Sequence, residues 1–307
     1  MGIINSEILL ETGTNEFEVL EFSIGDDHFG INVAKVRELM QYQGVQPMPR
    51  SHPCVEGIFR PRQEMFTVID LSAYLGLTPS NDPARDIMII TSFNKMSIAF
   101  HVHSVQKIHR ISWQDMKKPS NVIYGGRDGV VTGICKVNER VIAIIDFEKV
   151  VFDISPETGI QISEIEQLGE REKVSKPVLV AEDSPFLMKM IQDSLSKAGY
   201  ANVIPAMNGL EAWEFLQKMK EVTQSEKTPL EESIACIITD IEMPQMDGHR
   251  LTKLVKEDNI LKKLPVIIFS SLIDENMRLK GEEIGANAQI SKPEIGQLVG
   301  YVDRFIL

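Results

Sequence analysis

The sequence predicts a multidomain protein with an all-β N-terminal half and an α/β C-terminal half. Short strand patterns separated by tight turns fill residues 17–152, whereas apolar strands alternate with amphipathic helices over residues 177–307. The polar stretch 153–176 between them has weak helical periodicity and is followed by a proline, which is typical of a partly helical linker. We therefore expect a short N-terminal segment over residues 1–16, then two domains joined by this linker.

Composition and charge exclude several classes of function. The chain has 307 residues, of which 43% are hydrophobic and 25% charged, so it can form two sizeable cores. Its net charge of -12 argues against nucleic-acid binding. Glu7 and Glu11 interrupt the short apolar stretch at the N-terminus, and no run reaches the ~18 apolar residues of a membrane span. Cys54, Cys135 and Cys236 lack metal-binding spacing, and we interpret them as buried thiols.

The first half contains a repeat. The stretch "GIFRPRQEMFTVID" covers residues 57–70, and "GICKVNERVIAIID" covers residues 133–146. Both begin with Gly-Ile, keep the same spacing and end in Ile-Asp. Two related barrels would produce this pattern, although any two hairpins with polar turns could resemble each other to this degree.

Two histidines in this half, His101 and His103, share one face of a predicted strand, because side chains alternate along a strand. Ile98, Phe100 and Val102 occupy the opposite, apolar face. We interpret both histidines as solvated, and the alternative is a metal-binding pair that would lack a further ligand. The sequence of this half offers no candidate catalytic set.

The second half follows the pattern of a doubly wound parallel sheet. Apolar runs of strand length lie at residues 177–183, near 202, and at 235–240, 264–271 and 288–292. Five amphipathic segments alternate with them, and the first has Ser184 as N-cap, Pro185 at its first position and Gly199 as its stop. The stretch 218–234 is long for a connection, and we expect an exposed insertion there.

Polar side chains gather where these strands end: Glu182, Asp183, Asp240, Ser270 and Lys292. Ligands bind at the carboxyl ends of parallel strands, so we expect one cluster. Three neighbouring carboxylates repel one another when ionised, and oxygen-only coordination suits Mg²⁺. With that cation present, Asp240 is a candidate nucleophile for a phosphoryl group. Lys292 would neutralise the transferred oxygens and Ser270 could donate a hydrogen bond to one of them.

Residues 176–307 resemble a response regulator receiver domain through "VAEDS", "TDIEMPQMDG", "LPVIIFSS" and "ISKPE". The resemblance implies a flavodoxin-like fold with a five-stranded parallel sheet in the order 2-1-3-4-5. It also implies that Asp240 is phosphorylated and that Glu182 and Asp183 hold Mg²⁺ with it. In this family the backbone carbonyl two residues after the acceptor, here that of Glu242, completes the metal site.

The second half departs from this family at three positions. Glu182 replaces the commoner aspartate of the acid pair, and Glu242 occupies a position whose side chain tunes phosphate lifetime. Gln289 stands where many members carry an aromatic residue that swings inward on phosphorylation. An aromatic switch is therefore absent at this position, and we expect output to travel through Ser270 and the loops near Lys292.

Residues 17–152 resemble the CheW family through "FSIGDDHFGINVAKVREL", "VEGIFRPRQEMFTVIDL" and "RVIAIIDFEKV". The resemblance implies two SH3-like β-barrels and an adaptor, not an enzyme, that ties the tips of chemoreceptors to a histidine kinase. It places Val36, Glu38 and Arg62 on interaction surfaces. The family's usual glycine after that arginine is replaced by Gln63.

A coupling domain followed by a receiver is the arrangement of CheV-type chemotaxis proteins. This resemblance implies a cytoplasmic adaptor at membrane receptor arrays, with no nucleic-acid partner and no insertion into the membrane. Its partners would be a chemotaxis histidine kinase and the cytoplasmic tips of chemoreceptors. Phosphorylation of Asp240 would modulate their coupling, and the only chemistry would be slow self-catalysed phosphotransfer and autodephosphorylation. The alternatives are a phosphate sink that drains the kinase by fast turnover, and a constitutive scaffold with an inactive receiver.

Overall fold

The computed structural model describes residues 16–61, 64–93, 96–117, 129–167, 169, 171–273 and 275–307. The chain divides into two compact units, Met1–Pro156 and Glu157–Leu307, each with its own core. Across the described ranges, no helix combines the length and the hydropathy needed to cross a bilayer.

Two five-stranded sheets form the first unit. The first sheet has the order β8 (Ser104–Ser112), β1 (Glu16–Ile24), β2 (Asp27–Asn32), β10 (Arg140–Ile145) and β9 (Val131–Val137). The second sheet has the order β3 (Glu38–Gln41), β6 (Ile87–Phe93), β7 (Met96–Val102), β5 (Phe66–Asp70) and β4 (Val55–Phe59). The β2–β10 pair and the β5–β7 pair are parallel, and the other neighbours are antiparallel.

The repeat in the sequence corresponds to matching hairpins in the two sheets, β4–β5 in one and β9–β10 in the other. Each hairpin lies at the edge of its sheet, and its inner strand pairs in parallel with a strand of another hairpin. Their closing residues, Asp70 and Asp146, act as N-caps of α1 (Leu71–Leu75) and α2 (Phe147–Ile154). The shared topology supports the interpretation of a duplicated unit.

The apolar strand faces of the first unit are buried in three clusters. The largest takes side chains from both sheets, including Phe22, Phe100 and Phe147. Phe100 and Phe147 have ring centroids 4.1 Å apart in a tilted contact. Each sheet also has a smaller cluster of its own, around Val19 in the first and around Val68 in the second. Both faces of several central strands are therefore covered.

A parallel five-stranded sheet forms the centre of the second unit. Its order is β12 (Val203–Ala206), β11 (Val178–Ala181), β13 (Cys236–Thr239), β14 (Val266–Ser270) and β15 (Ala288–Ser291). Its helices are α3 (Ile162–Glu166), α4 (Pro185–Lys197), α5 (Gly209–Glu226), α6 (Leu230–Ser233), α7 (Gly248–Glu257), α8 (Glu275–Glu283) and α9 (Ile295–Ile306). β11 and β13 are buried along their whole length, because helices cover both faces of the sheet.

Helix α4 begins and ends close to where its sequence signals predict. The Ser184 hydroxyl accepts a hydrogen bond from the backbone N–H of Leu187, and Pro185 is the first helical residue. Gly199 follows the helix with φ of 95°, a left-handed conformation that favours glycine.

The predicted exposed insertion over residues 218–234 is wrong. Helix α5 continues through Glu226, and the short helix α6 follows after three residues. Thr223, Leu230 and Ile234 are only 5%, 8% and 0% exposed. Leu230 and Ile234 pack into the cluster beneath α5 and α7. Most of the Lys and Glu residues of this stretch lie on the outer faces of helices rather than in a loop.

Residues 157–176, which we assigned to a linker, belong to the second compact unit. Ile160 and Ile165 are 3% and 2% exposed and join the core cluster that contains α4 and α9. Glu164 Oε2 accepts a hydrogen bond of 3.0 Å from the backbone N–H of Gly296, at the start of α9. Residues 160–165 are therefore packed against the sheet-covering helices.

Candidate functional site

The parallel strands end at one edge of the second sheet and bring three carboxylates together there. Ala181 pairs with Thr239 in the β11–β13 register, so the residues that follow them leave the sheet side by side. One carboxylate oxygen from each of Glu182, Asp183 and Asp240 lies within 4.8 Å of the others. Glu182 and Asp240 are buried, and Asp183 is partly exposed.

Lys292 connects two of these carboxylates. Its Nζ lies 2.6 Å from Glu182 Oε2 and 2.9 Å from Asp240 Oδ2, and the residue is 1% exposed. Its backbone N–H donates to the carbonyl of Ser270 on β14, and its peptide bond to Pro293 is cis. Buried charges require partners, and the lysine supplies a positive one at the place where two acids leave the sheet.

Burial acts on the protonation of Glu182. Burial raises the pKa of the Glu182 carboxyl well above its usual range, and the negative charges of Asp240 and Asp183 raise it further. The positive charge of Lys292 acts in the opposite direction and lowers that pKa. Without a cation, Glu182 therefore favours its protonated form, because three carboxylates share one lysine.

The charge and donor chemistry of the cluster fit a divalent cation. Glu182, Asp183 and Asp240 contribute three negative charges when ionised, and Lys292 returns one positive charge. The remainder equals the charge of one Mg²⁺ ion, which takes oxygen ligands and retains several waters. Asp183 is partly exposed, so waters can reach this part of the cluster.

Asp240 is held in place by the turn that follows it. Its Oδ1 accepts a hydrogen bond of 2.6 Å from the N–H of Ile241. The carboxylate of Asp247 caps α7 by accepting from the N–H of Arg250. A Cβ at Gly248 would lie 1.8 Å from the carbonyl oxygen of Asp240, so only glycine permits this approach. From the sequence we did not identify Gly248 as the residue that permits this close approach, although the Asp-Gly pair after the strand was the signal for it.

The remaining residues proposed for this site lie around the cluster. Ser270 ends β14, is 1% exposed, and its hydroxyl accepts from the N–H of Leu272 at 3.4 Å. Glu242 follows the acceptor by two residues and is partly buried, and the metal-binding role of its carbonyl stays a prediction. Gln289 donates from Nε2 to the carbonyl of Arg278 in α8.

The three residues expected on interaction surfaces of the first unit have different outcomes. Val36 is 7% exposed and packs in the large core cluster that contains side chains from both sheets, not on the surface where we expected it. Its N–H closes a tight turn by donating to the carbonyl of Val33, and this turn directs the side chain inward. The Glu38 side chain is 44% exposed beside Arg37. Arg62 lies outside the described residues.

The interpretation of His101 as a solvated residue is wrong. It is 7% exposed, because the second sheet has a core of its own on that face of β7, where Ala99 is also buried. Its Nδ1 lies 2.6 Å from Glu56 Oε1, and its Nε2 lies 2.9 Å from Asp86 Oδ2. His103 differs, because it is partly exposed and its Nδ1 accepts a hydrogen bond from the N–H of Gly25.

Known proteins match both halves of the chain. Residues 18–154 match a CheW-like domain, and residues 178–303 match a response regulator receiver domain. The chain is 28% identical over 270 residues to the chemotaxis protein CheV3 of Helicobacter pylori, covering 86% of this chain and 84% of that protein. It is 26% identical over 314 residues to CheV1 of the same bacterium, covering 95% and 94%.

Among solved structures, the scaffolding protein TtCheW of Thermoanaerobacter tengcongensis matches 42% of this chain and 88% of its own. The sequence identity is 22% and the TM-score is 0.39. The family matches cover the two units in order along the chain. Residues 18–154 are therefore a CheW-like domain and residues 178–303 a response regulator receiver domain, in a chain similar over most of its length to CheV chemotaxis proteins.

Proposed function

We propose that this chain is a chemotaxis adaptor that couples chemoreceptors to a histidine kinase, and that phosphorylation of Asp240 modulates the coupling. The observation that carries the proposal is the buried contact of Lys292 with both Asp240 and Glu182, in a receiver domain joined to a CheW-like domain. A purely structural domain has no need for this concentration of charge at its strand ends.

The geometry around Asp240 supports an acceptor role for this residue. Its carboxylate attacks the phosphorus of a phosphohistidine on the kinase, a P–O bond forms, and the P–N bond breaks with the electron pair leaving on the imidazole. Lys292, 2.9 Å from Asp240 Oδ2, is placed to neutralise the transferred oxygens, and the Ser270 hydroxyl can donate to one of them. Glu182, Asp183, Asp240 and the carbonyl of Glu242 would hold Mg²⁺, which would supply further charge neutralisation when bound.

The phosphoryl group would alter the contacts that Lys292 and Ser270 make at rest. Lys292 now contacts Glu182 and Asp240, and its backbone is tied to β14 through the Ser270 carbonyl. Helix α9 starts three residues after Lys292, so a shift of this lysine acts directly on the start of that helix. Output through this loop needs no aromatic residue at position 289.

The first unit would supply the contacts with receptor and kinase. We expect its two sheets to form the SH3-like barrels of a coupling domain, because their strand orders are equivalent. The Glu38 side chain on β3 is 44% exposed beside Arg37 and would be available to a partner, and Arg62 stays a prediction. The protein would act on the cytoplasmic side of a receptor array, without any enzyme activity beyond slow phosphotransfer and autodephosphorylation at Asp240.

A reconstituted signalling complex tests this function. Receptor-containing membranes, a chemotaxis histidine kinase and the full chain are combined, and kinase activity is followed before and after addition of a small-molecule phosphodonor. We expect the phosphodonor to change kinase activity with wild type and with Asp193→Asn, a change at an exposed aspartate of α4. Asp240→Asn should couple at a fixed level. An unchanged phosphodonor response in Asp240→Asn contradicts the proposal.

The phosphate sink is the second candidate, and it depends on Glu242. A carboxylate two residues after the acceptor would shorten the lifetime of the aspartyl phosphate if it aligns an attacking water, and would not shorten it if it repels that water. A sink requires fast turnover, whereas modulation of coupling requires a phosphate that persists. The lifetime of the phosphate on Asp240 therefore separates the two functions.

A further inference from the structure

A second group of metal-ligating side chains lies in the first unit. Glu56 on β4, Asp70 at the end of β5 and His101 on β7 stand on neighbouring strands of one sheet. Asp70 and His101 are paired directly in the β5–β7 register. One donor atom of each residue lies within 4.8 Å of the donor atoms of the other two.

A β-bulge directs Glu56 toward this group. The β4–β5 register shifts between Val55 and Gly57, so Glu56 is the extra residue. Gly57 has φ of 150°, and a Cβ there would lie 2.1 Å from the carbonyl oxygen of Gln46. Bulges re-aim side chains, and this one brings Glu56 Oε1 to 2.6 Å from His101 Nδ1.

Asp86 fixes the imidazole of His101. The two residues are 3% and 7% exposed, and Asp86 Oδ2 lies 2.9 Å from His101 Nε2. An ionised carboxylate only accepts hydrogen bonds, so without a cation Nε2 donates to Asp86 and Nδ1 donates to Glu56. Once the Nδ1 proton leaves, Asp86 still holds Nε2–H and Nδ1 presents its lone pair to a metal ion. Histidines that bind metals typically donate their other ring N–H to a carboxylate or a carbonyl in this way.

The two carboxylate ligands are also oriented by outer partners. The Tyr42 hydroxyl donates to Glu56 Oε2 at 2.8 Å, and its ring stacks on His101 with centroids 4.2 Å apart. The N–H groups of Ser72 and Ala73 donate to Asp70 Oδ1 at the start of α1. Asp70 therefore keeps its second oxygen for a ligand, whereas the second oxygen of Glu56 contacts His101 Nδ1 and becomes available to a ligand once that proton leaves.

The group carries excess negative charge. Glu56, Asp70 and Asp86 surround His101, which contributes at most one positive charge. In the part of the chain that the structure describes, none of these three carboxylates forms an ion pair with a lysine or an arginine. A bound divalent cation would remove this imbalance.

We propose that Glu56, Asp70 and His101 bind Zn²⁺, with Asp86 and Tyr42 orienting the ligands. One nitrogen and two oxygen donors with an open fourth position form a set that Zn²⁺ accepts, whereas Mg²⁺ takes oxygen ligands. The Glu56 side chain is 20% exposed, so water can reach the group and would occupy the fourth position.

The ion takes the place of the Nδ1 proton, which is released to solvent. Glu56 then moves away from Nδ1, because tetrahedral ligands at ~2.0–2.1 Å from zinc lie about 3.3 Å apart. Zinc at this point cross-links β4, β5 and β7 and stabilises the second sheet.

Calorimetric titration of Zn²⁺ into the full chain tests the proposal, with excess Mg²⁺ present to compete at the oxygen-only cluster around Asp240. We expect one Zn²⁺ per chain, with affinity reduced about 100-fold or more in His101→Gln. His103→Gln, two residues further along, should bind as wild type does. No uptake by wild type, or equal binding by His101→Gln, overturns the proposal and leaves His101 as the centre of a hydrogen-bond network.

Two further measurements keep the result independent of folding defects. Asp70→Asn retains a side chain that caps α1 but removes the charge, so it should fold and still lose Zn²⁺ affinity. Co²⁺ in the wild type should give the visible bands of a tetrahedral nitrogen and oxygen site, without a thiolate charge-transfer band. A thiolate band would place the ion on a cysteine and contradict the assignment, as would a Co²⁺ spectrum unchanged in Asp70→Asn.

Discussion

At Asp240, a neighbouring glycine determines how the carboxylate is held. A Cβ at position 248 would meet the Asp240 carbonyl at 1.8 Å, and backbone cannot yield as a flexible side chain can. We therefore expect Gly248→Ala to shift the Asp240 backbone, to lower stability by about 1–3 kcal/mol, and to slow phosphorylation about 100-fold. Phosphotransfer kinetics and urea denaturation measure the two effects.

Gly300→Ala is the matched control for this change. Gly300 lies inside α9, and a Cβ there would meet nothing within 4 Å. Because glycine weakens a helix interior, alanine should stabilise the protein by about 0.5–1 kcal/mol and leave phosphorylation unchanged. Wild-type kinetics in Gly248→Ala would show that the close approach is not needed to position Asp240.

His249 is a buried histidine of α7 whose ring nitrogens have no hydrogen-bond partner among the described residues. Burial lowers its pKa, the positive charge of Lys280 lowers it further, and Asp247 acts in the opposite direction. Below about pH 6.5, His249 therefore binds a proton more readily in the unfolded chain than in the folded protein. The contribution of His249 to stability is therefore complete above that pH and decreases as the pH falls toward the folded pKa.

We expect His249→Leu to reduce this acid sensitivity. Below about pH 6.5, the wild type should lose stability relative to the variant by up to about 1.4 kcal/mol per pH unit. Urea denaturation can be followed by the fluorescence of Trp213 alone in a Trp113→Phe background, because the chain has two tryptophans. His52→Leu, a change at an exposed histidine of the first unit, should leave the profile unchanged. Parallel profiles for wild type and His249→Leu would contradict the assignment.

Among the elements, α3 shows how a weak sequence pattern becomes a packed segment. Ile165 is 2% exposed against α4 and α9, so Ile165→Ala should leave a cavity and destabilise the second unit by about 2–5 kcal/mol. Ser163→Ala, on the exposed side of α3, should change stability by less than about 0.5 kcal/mol. The Trp213 signal measures both, and equal stability of the two variants would mean that α3 does not contribute to the core.

Local signals in the sequence were sufficient for some elements and insufficient for others. The cap of α4 was predictable, because Ser184 and Pro185 act on the first turn itself. The extent of α5 was not, because Thr223 and Leu230 are buried by distant packing that no local pattern shows. The burial of His101 has the same origin, since the covering of the second face of β7 depends on how strands meet.

At the scale of the whole molecule, the candidate site was more predictable than the details of the first unit. Parallel strands end at one edge, so the order of strand-end residues was enough to bring Glu182, Asp240 and Lys292 together. The duplicated topology of the first unit was visible in the hairpin repeat, but its surfaces were not. Val36 is buried by a turn whose geometry depends on the hydrogen bond from its own N–H.

The measurement that tests the central claim most directly is transfer of labelled phosphate from a phosphorylated chemotaxis kinase to the full chain in Mg²⁺. Wild type and Asp240→Asn are compared over time, with Asp193→Asn as a control at an exposed aspartate. We expect label on wild type and on Asp193→Asn that persists for minutes, and none on Asp240→Asn. Label lost within seconds would favour the phosphate sink. Label on Asp240→Asn, or no label on wild type, would contradict the assignment of Asp240 as the phosphoacceptor.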